Sequence, residues 1–103
     1  MATSREELKM AVHEILNDVI EQGFHHLVTH PQQSDELNTI IKDATDELNY
    51  HLLKIDSHNF KPGSKELNQH FNAISHDAQR RSLELLSKLQ KLQQIDNPRL
   101  KRV

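Results

Sequence analysis

Cysteine is absent from this chain of 103 residues, so disulfides, thiolate zinc sites and cysteine nucleophiles are excluded. Only two glycines are present, and a glycine-rich loop that cradles phosphates therefore cannot form. No run of about 18 apolar residues occurs, so we expect no segment to span a membrane. The charged first ten residues contain no apolar signal stretch. These absences together predict a cytoplasmic protein without a membrane partner.

Aromatic residues are also scarce, with one tyrosine, three phenylalanines and no tryptophan. Leucine, isoleucine, valine and phenylalanine still total 28 residues, which is enough to favour a folded chain over a disordered one. A lean core of this kind is typical of narrow apolar stripes on helices. The chain length is that of one domain.

Proline marks three boundaries in the chain, at Pro31, Pro62 and Pro98, because the residue before a proline disfavours helical geometry. The segments between them predict an all-α fold in which three long antiparallel amphipathic helices form a bundle. We expect helices at about 4–29, 34–55 and 64–94 within a single domain 1–95, followed by a basic tail at 96–103. Ser4, Ser34 and Ser64 are the expected N-caps.

Apolar residues recur at three- and four-residue spacing in each segment, which is the spacing of a buried helix face. In the first helix we expect the stripe to consist of Leu8, Val12, Ile15, Leu16, Val19, Ile20, Phe24, Leu27 and Val28.

The third helix is the longest, and its second half is rich in leucine. An unbroken helix would be about 46 Å long and would project beyond its neighbours. A projecting end would expose a large apolar patch, so either the helix bends near Arg80 to Ser82 or a second chain covers it. The predicted dimer interface consists of Leu83, Leu85, Leu86, Leu89 and Leu92.

Charge is distributed unevenly along the chain. Residues 1–29 carry a net charge of -3, residues 30–56 carry -4, and the remainder carries +5. The simplest interpretation is that the basic segment lies beside the acidic ones in the fold. The alternative is a basic surface for an acidic partner, for which Arg80, Arg81 and Lys88 are the candidate partner-binding residues.

Histidine is in excess, with eight copies. Three of them follow a glutamate by four residues, in the pairs Glu21–His25, Glu47–His51 and Glu66–His70. We expect these to be surface pairs on helix faces. A metal site built from imidazole and carboxylate, or a pH-responsive role, remains an alternative. The Glu-x-x-His spacing of di-iron bundles is absent, so no residue is assigned as a metal ligand.

Two short stretches resemble known helical families. His51 and Lys54 form a His-x-x-Lys stretch that resembles the phospho-accepting site of histidine phosphotransfer domains, although Ile55 stands where that family has a small glycine. Residues 52–57, together with Asp77, Arg80 and Arg81, resemble BAG domains, three-helix modules that bind heat-shock chaperone ATPases. The second resemblance implies a chaperone-binding module.

No catalytic residue and no cofactor is predicted, because the chain has no nucleophile elbow and no cofactor-binding motif. The basic segment lacks interleaved aromatic residues, so nucleic acid is not expected to be a partner. The favoured function is that of a non-enzymatic helical interaction or adaptor protein that self-associates as a dimer. A metal-binding bundle and a BAG-like module are the alternatives.

Overall fold

Three α-helices form most of the protein in the computed structural model, which describes residues 4–95. α1 spans Arg5–Thr29, α2 spans Ser34–Asp56 and α3 spans Lys65–Ile95, and a 3-10 turn at Pro31–Gln33 joins the first two. Each helix begins and ends within one residue of the expected position. No strand occurs within the described residues, and the expected all-α bundle is confirmed. The predicted basic tail at 96–103 lies outside the described residues.

Two of the three expected N-caps are present. The Ser4 Oγ accepts a hydrogen bond from the Glu7 N–H at 3.1 Å, and the Ser64 Oγ accepts one from the Leu67 N–H at 3.1 Å. The expected cap at Ser34 is wrong, because the 3-10 turn runs directly into α2 and leaves Ser34 in helical geometry. Gly63, with a φ of 74°, forms the turn that precedes α3, a backbone angle that favours glycine.

Cross-helix contacts identify consecutive helices as antiparallel. The His70 Nε2 near the start of α3 donates to the Lys54 carbonyl oxygen near the end of α2 at 3.0 Å. The Lys9 Nζ at the start of α1 lies 2.7 Å from the Asp56 Oδ2 at the end of α2. The Arg81 Nε in the middle of α3 lies 2.8 Å from the Glu47 Oε1 in the middle of α2. The acidic second segment therefore lies beside the basic third segment within one chain.

The core consists of two groups of buried apolar side chains, one toward each end of the bundle. The group at the end where α1 begins contains Leu8, Val12, Leu16, Leu48, Ile55, Phe71, Ile74 and Ala78. The other group contains Val19, Leu37, Ile40, Ala44, Leu85 and Leu89. All three helices contribute to both groups, so each helix buries one continuous face.

Within residues 4–95, no helix combines the length and the apolar content needed to cross a bilayer.

Gly23 marks a close contact between α1 and α2. A Cβ atom added to Gly23 would lie 2.7 Å from the Ile41 Cγ1, which is well inside van der Waals contact. Ile41 is itself buried, so its side chain cannot turn away into solvent. The absence of a side chain at residue 23 therefore sets the spacing of these two helices.

We expect Gly23→Ala to destabilise the protein even though alanine favours helix. The substitution gains about 1 kcal/mol of helix propensity, but overpacking a filled core typically costs about 1–3 kcal/mol. In an Ile41→Ala background the overlap is gone, and the same substitution should become stabilising. Urea denaturation of wild type, Gly23→Ala, Ile41→Ala and the double variant measures the effect of Gly23→Ala on unfolding free energy in both backgrounds. A stabilising effect in the wild-type background would contradict the close contact.

Candidate interaction surface

The five leucines of the predicted interface do not form one exposed surface. Leu85 and Leu89 are 0% and 1% exposed and belong to the core of the bundle itself. Leu86 and Leu92 are half-buried against the same core group, and only Leu83, at 67%, is fully exposed. The expected projecting apolar end is therefore corrected. α3 continues without interruption, and side chains of its own chain cover most of its leucines.

A buried hydrogen-bonded chain holds the end of α3 in place. The His26 Nε2 donates to the Gln33 Oε1 at 2.8 Å, and the Gln33 Nε2 donates to the Leu92 carbonyl oxygen at 3.1 Å. Gln33 belongs to the turn between α1 and α2, so Leu92 lies level with that turn. Only the last residues of α3 extend beyond it, which explains why Leu85, Leu86 and Leu89 are covered by their own chain.

The two predicted partner-binding arginines already have partners in their own chain. The Arg80 Nη1 donates to the Glu84 Oε1 at 2.8 Å. Arg81 pairs with both Glu47 and Glu84, and its hydrogen bond lowers the pKa of the Glu84 carboxyl group. Most of the basic charge in the middle of α3 is thus compensated by neighbouring carboxylates.

His51 lies in the core next to this ion-pair network, contrary to the expectation of a surface pair. The ring is 1% exposed, and neither of its nitrogens makes a hydrogen bond. The Nε2 lies 3.0 Å from the Glu47 Oε2, close enough for an ion pair but misaligned for a hydrogen bond. Burial lowers the pKa of His51, and this outweighs the opposing attraction of Glu47.

The other histidine pairs do not assemble a metal centre. The His70 Nε2 donates to the Lys54 carbonyl oxygen at 3.0 Å, while His25 and Glu21 are both exposed on α1. In the part of the chain that the structure describes, no three histidine or carboxylate side chains converge closely enough to hold a metal ion.

Lys88, the third predicted partner-binding residue, lines a shallow groove between the start of α2 and the end of α3. We call this the lysine groove; its lining residues are Glu36, Thr39, Ile40, Lys88, Lys91 and Leu92. Ile40 and Leu92 form its apolar floor, and both lysines are exposed at its edge. Among residues 4–95 neither ammonium lies within 4.0 Å of a carboxylate, unlike Arg81, and the two lysines outnumber the one acidic lining residue, Glu36, so the groove has a net positive charge.

The outer side of α1 carries a second stripe, which the sequence analysis missed. Its residues follow a 4-3-4-3-4 spacing and are Met10, Glu14, Asn17, Glu21, Phe24 and Val28. We call this the outer stripe. Phe24 and Val28 were expected in the core but are 51% and 81% exposed, because they lie on the flank of α1 away from α2 and α3. The buried residues Val12, Leu16, Val19, Gly23 and His26 have the same three- and four-residue spacing, so periodicity alone does not separate the two stripes.

Neither protein-family models, nor curated proteins, nor solved structures give a match to this chain. We therefore infer function from the surfaces described above.

Proposed function

We propose that this protein is a non-enzymatic interaction protein that self-associates, with a dimer as its smallest assembly. The observation that carries the proposal is the lysine groove, in which an apolar floor lies beside two exposed lysines that form no ion pair within residues 4–95. Binding surfaces combine an apolar centre with a polar rim in this way. A chain without cysteine suits a reducing compartment, and we propose the cytosol as its location.

Among the predicted interface and partner-binding residues, those with exposed side chains are suited to contact with a second molecule. Lys88 and Leu83 are exposed and available to a second molecule, and Leu92 offers its half-buried side chain at the floor of the groove. Leu85 and Leu89 support this surface from inside the bundle. Substituting Leu89 by glutamate would therefore unfold the chain rather than separate two chains, since a buried charge without a partner is strongly unfavourable.

Sedimentation velocity of the wild-type chain tests this proposal. We expect the weight-average sedimentation coefficient to rise between about 10 µM and about 1 mM, the range in which small interfaces associate. We also expect added salt to reduce the rise, because the lysines at the groove are exposed to solvent. A coefficient that stays at the monomer value throughout would overturn the proposal.

A further inference from the structure

We propose that the lysine groove of one molecule binds the outer stripe of α1 of a second copy. This inference rests on the proposed self-association and names the two surfaces that meet. The stripe and the groove are different surfaces of the same chain, and their charges are opposite.

Charge complementarity is the first argument. Glu21 belongs to the outer stripe, and Asp18, three residues earlier, is exposed beside it; Lys88 and Lys91 are likewise three residues apart on α3. Residues with this separation lie about 5–6 Å apart on a helix surface, so the two pairs match in spacing. Asp18 accepts a hydrogen bond from the Gln22 amide and Glu21 accepts one from the Asn17 amide, and within residues 4–95 neither carboxylate forms an ion pair.

Apolar complementarity is the second argument. Phe24 and Val28 follow Glu21 by three and seven residues and lie on the same side of α1. Both are mostly exposed, whereas the floor of the lysine groove consists of Ile40 and Leu92. When Asp18 and Glu21 contact Lys88 and Lys91, we expect Phe24 to lie against the apolar floor of the groove. This contact would release water from both apolar surfaces.

The positions of the two surfaces predict how the assembly grows. α1 packs its buried face against α2 and α3, so its outer stripe points away from them, and no residue of α1 lines the lysine groove. One contact therefore joins two copies head to tail, leaving one groove and one stripe free. We expect a dimer at low concentration and longer assemblies as the concentration rises.

Charge reversal tests the contact directly. Lys88→Glu with Lys91→Glu makes the groove acidic, and Asp18→Lys with Glu21→Lys makes the part of the stripe around Glu21 basic. Each doubly substituted protein alone then faces like charges, and we expect its association constant to fall at least about tenfold. In an equimolar mixture both contacts regain opposite charges, so association should return to near the wild-type level.

Sedimentation velocity with one protein fluorescently labelled measures the mixed assembly, and circular dichroism verifies that each variant is helical. Lys61→Glu with Lys65→Glu is the matched control, since both lysines are exposed and remote from the groove; it should associate like wild type. If the wild-type protein associates, two results would overturn this inference but not the proposed function. Either the charge-reversed variants associate as strongly as wild type, or the mixture does not regain association. A wild-type chain that remains monomeric would overturn the proposed function and this inference with it.

Discussion

Leu85→Ala should lower the free energy of unfolding by about 2–5 kcal/mol, the usual cost of removing a buried leucine side chain from a packed core. Leu85 is completely buried and belongs to the same core group as Val19 of α1 and Leu37 and Ala44 of α2.

 Helices α1 and α2 thus cover Leu85 within one chain, and the loss of unfolding free energy in Leu85→Ala should not depend on protein concentration. Urea denaturation at two concentrations, about 5 µM and about 200 µM, measures the change.

Leu83→Ala is the matched control for this substitution. Leu83 is two residues away on the same helix but 67% exposed, so its removal should change the free energy of unfolding by less than about 0.5 kcal/mol. Similar losses for the two variants, or a loss in Leu85→Ala that shrinks on dilution, would mean that a second chain rather than α1 and α2 covers the end of α3.

Acid should destabilise the protein through His51. Its pKa in the folded chain is lowered by burial, whereas in the unfolded chain it has the ordinary value of about 6.5. Between these two values the unfolded chain binds a proton that the folded chain does not. The free energy of unfolding should therefore fall as the pH drops through about 6.5, with a slope of at most about 1.4 kcal/mol per pH unit for this one group. Stability from this group is fully present above that pH.

His51→Leu isolates this contribution, because a leucine of similar volume cannot bind a proton. The variant should lose less stability than wild type between pH 7.5 and pH 5, taken as about the range over which histidine titrates. Glu47 keeps its contact with Arg81 in the variant, so the link between α2 and α3 remains. Thermal or urea denaturation at several pH values measures the difference, and His13→Leu, at an exposed position, should behave like wild type. Equal pH dependence in wild type and His51→Leu would show that His51 is not the group responsible.

The features predictable from the sequence were those encoded by local signals. Pro31 and Pro62 interrupt the helices, and the Ser4 and Ser64 caps act within one turn, so the helix bounds followed from short stretches. Apolar periodicity then indicated one buried face on each helix. Ser34 failed as a cap because a 3-10 turn continues into α2, and the composition of that turn does not distinguish the two arrangements.

What the sequence could not provide was the relative position of the helices along the bundle axis. The coverage of Leu85 and Leu89 depends on the level of the α1–α2 turn, which Gln33 fixes through a hydrogen bond to residue 92 in a distant segment. The burial of His51 likewise depends on how α2 faces α3, and its spacing from Glu47 is the same as that of an exposed pair. Apolar periodicity also does not show which of two stripes on one helix is buried. For this reason the sequence predicted Phe24 and Val28 to lie in the core, whereas both are exposed.

For the candidate binding residues too, the sequence predicts the residues on one helix but not their contacts with other segments. A cluster of basic residues on α3 could be read from the sequence, but the partners of each cation could not. Arg80 and Arg81 contact Glu84, four and three residues away, and Arg81 also contacts Glu47 on α2. Lys88 has no such partner among the described residues and lies at the groove instead.

Light scattering of the wild-type chain, from about 10 µM to about 1 mM, addresses the central claim most directly. We predict a molar mass that starts near that of one chain, passes through twice that value and continues to increase. A mass that remains at 12.0 kDa at every concentration would contradict it.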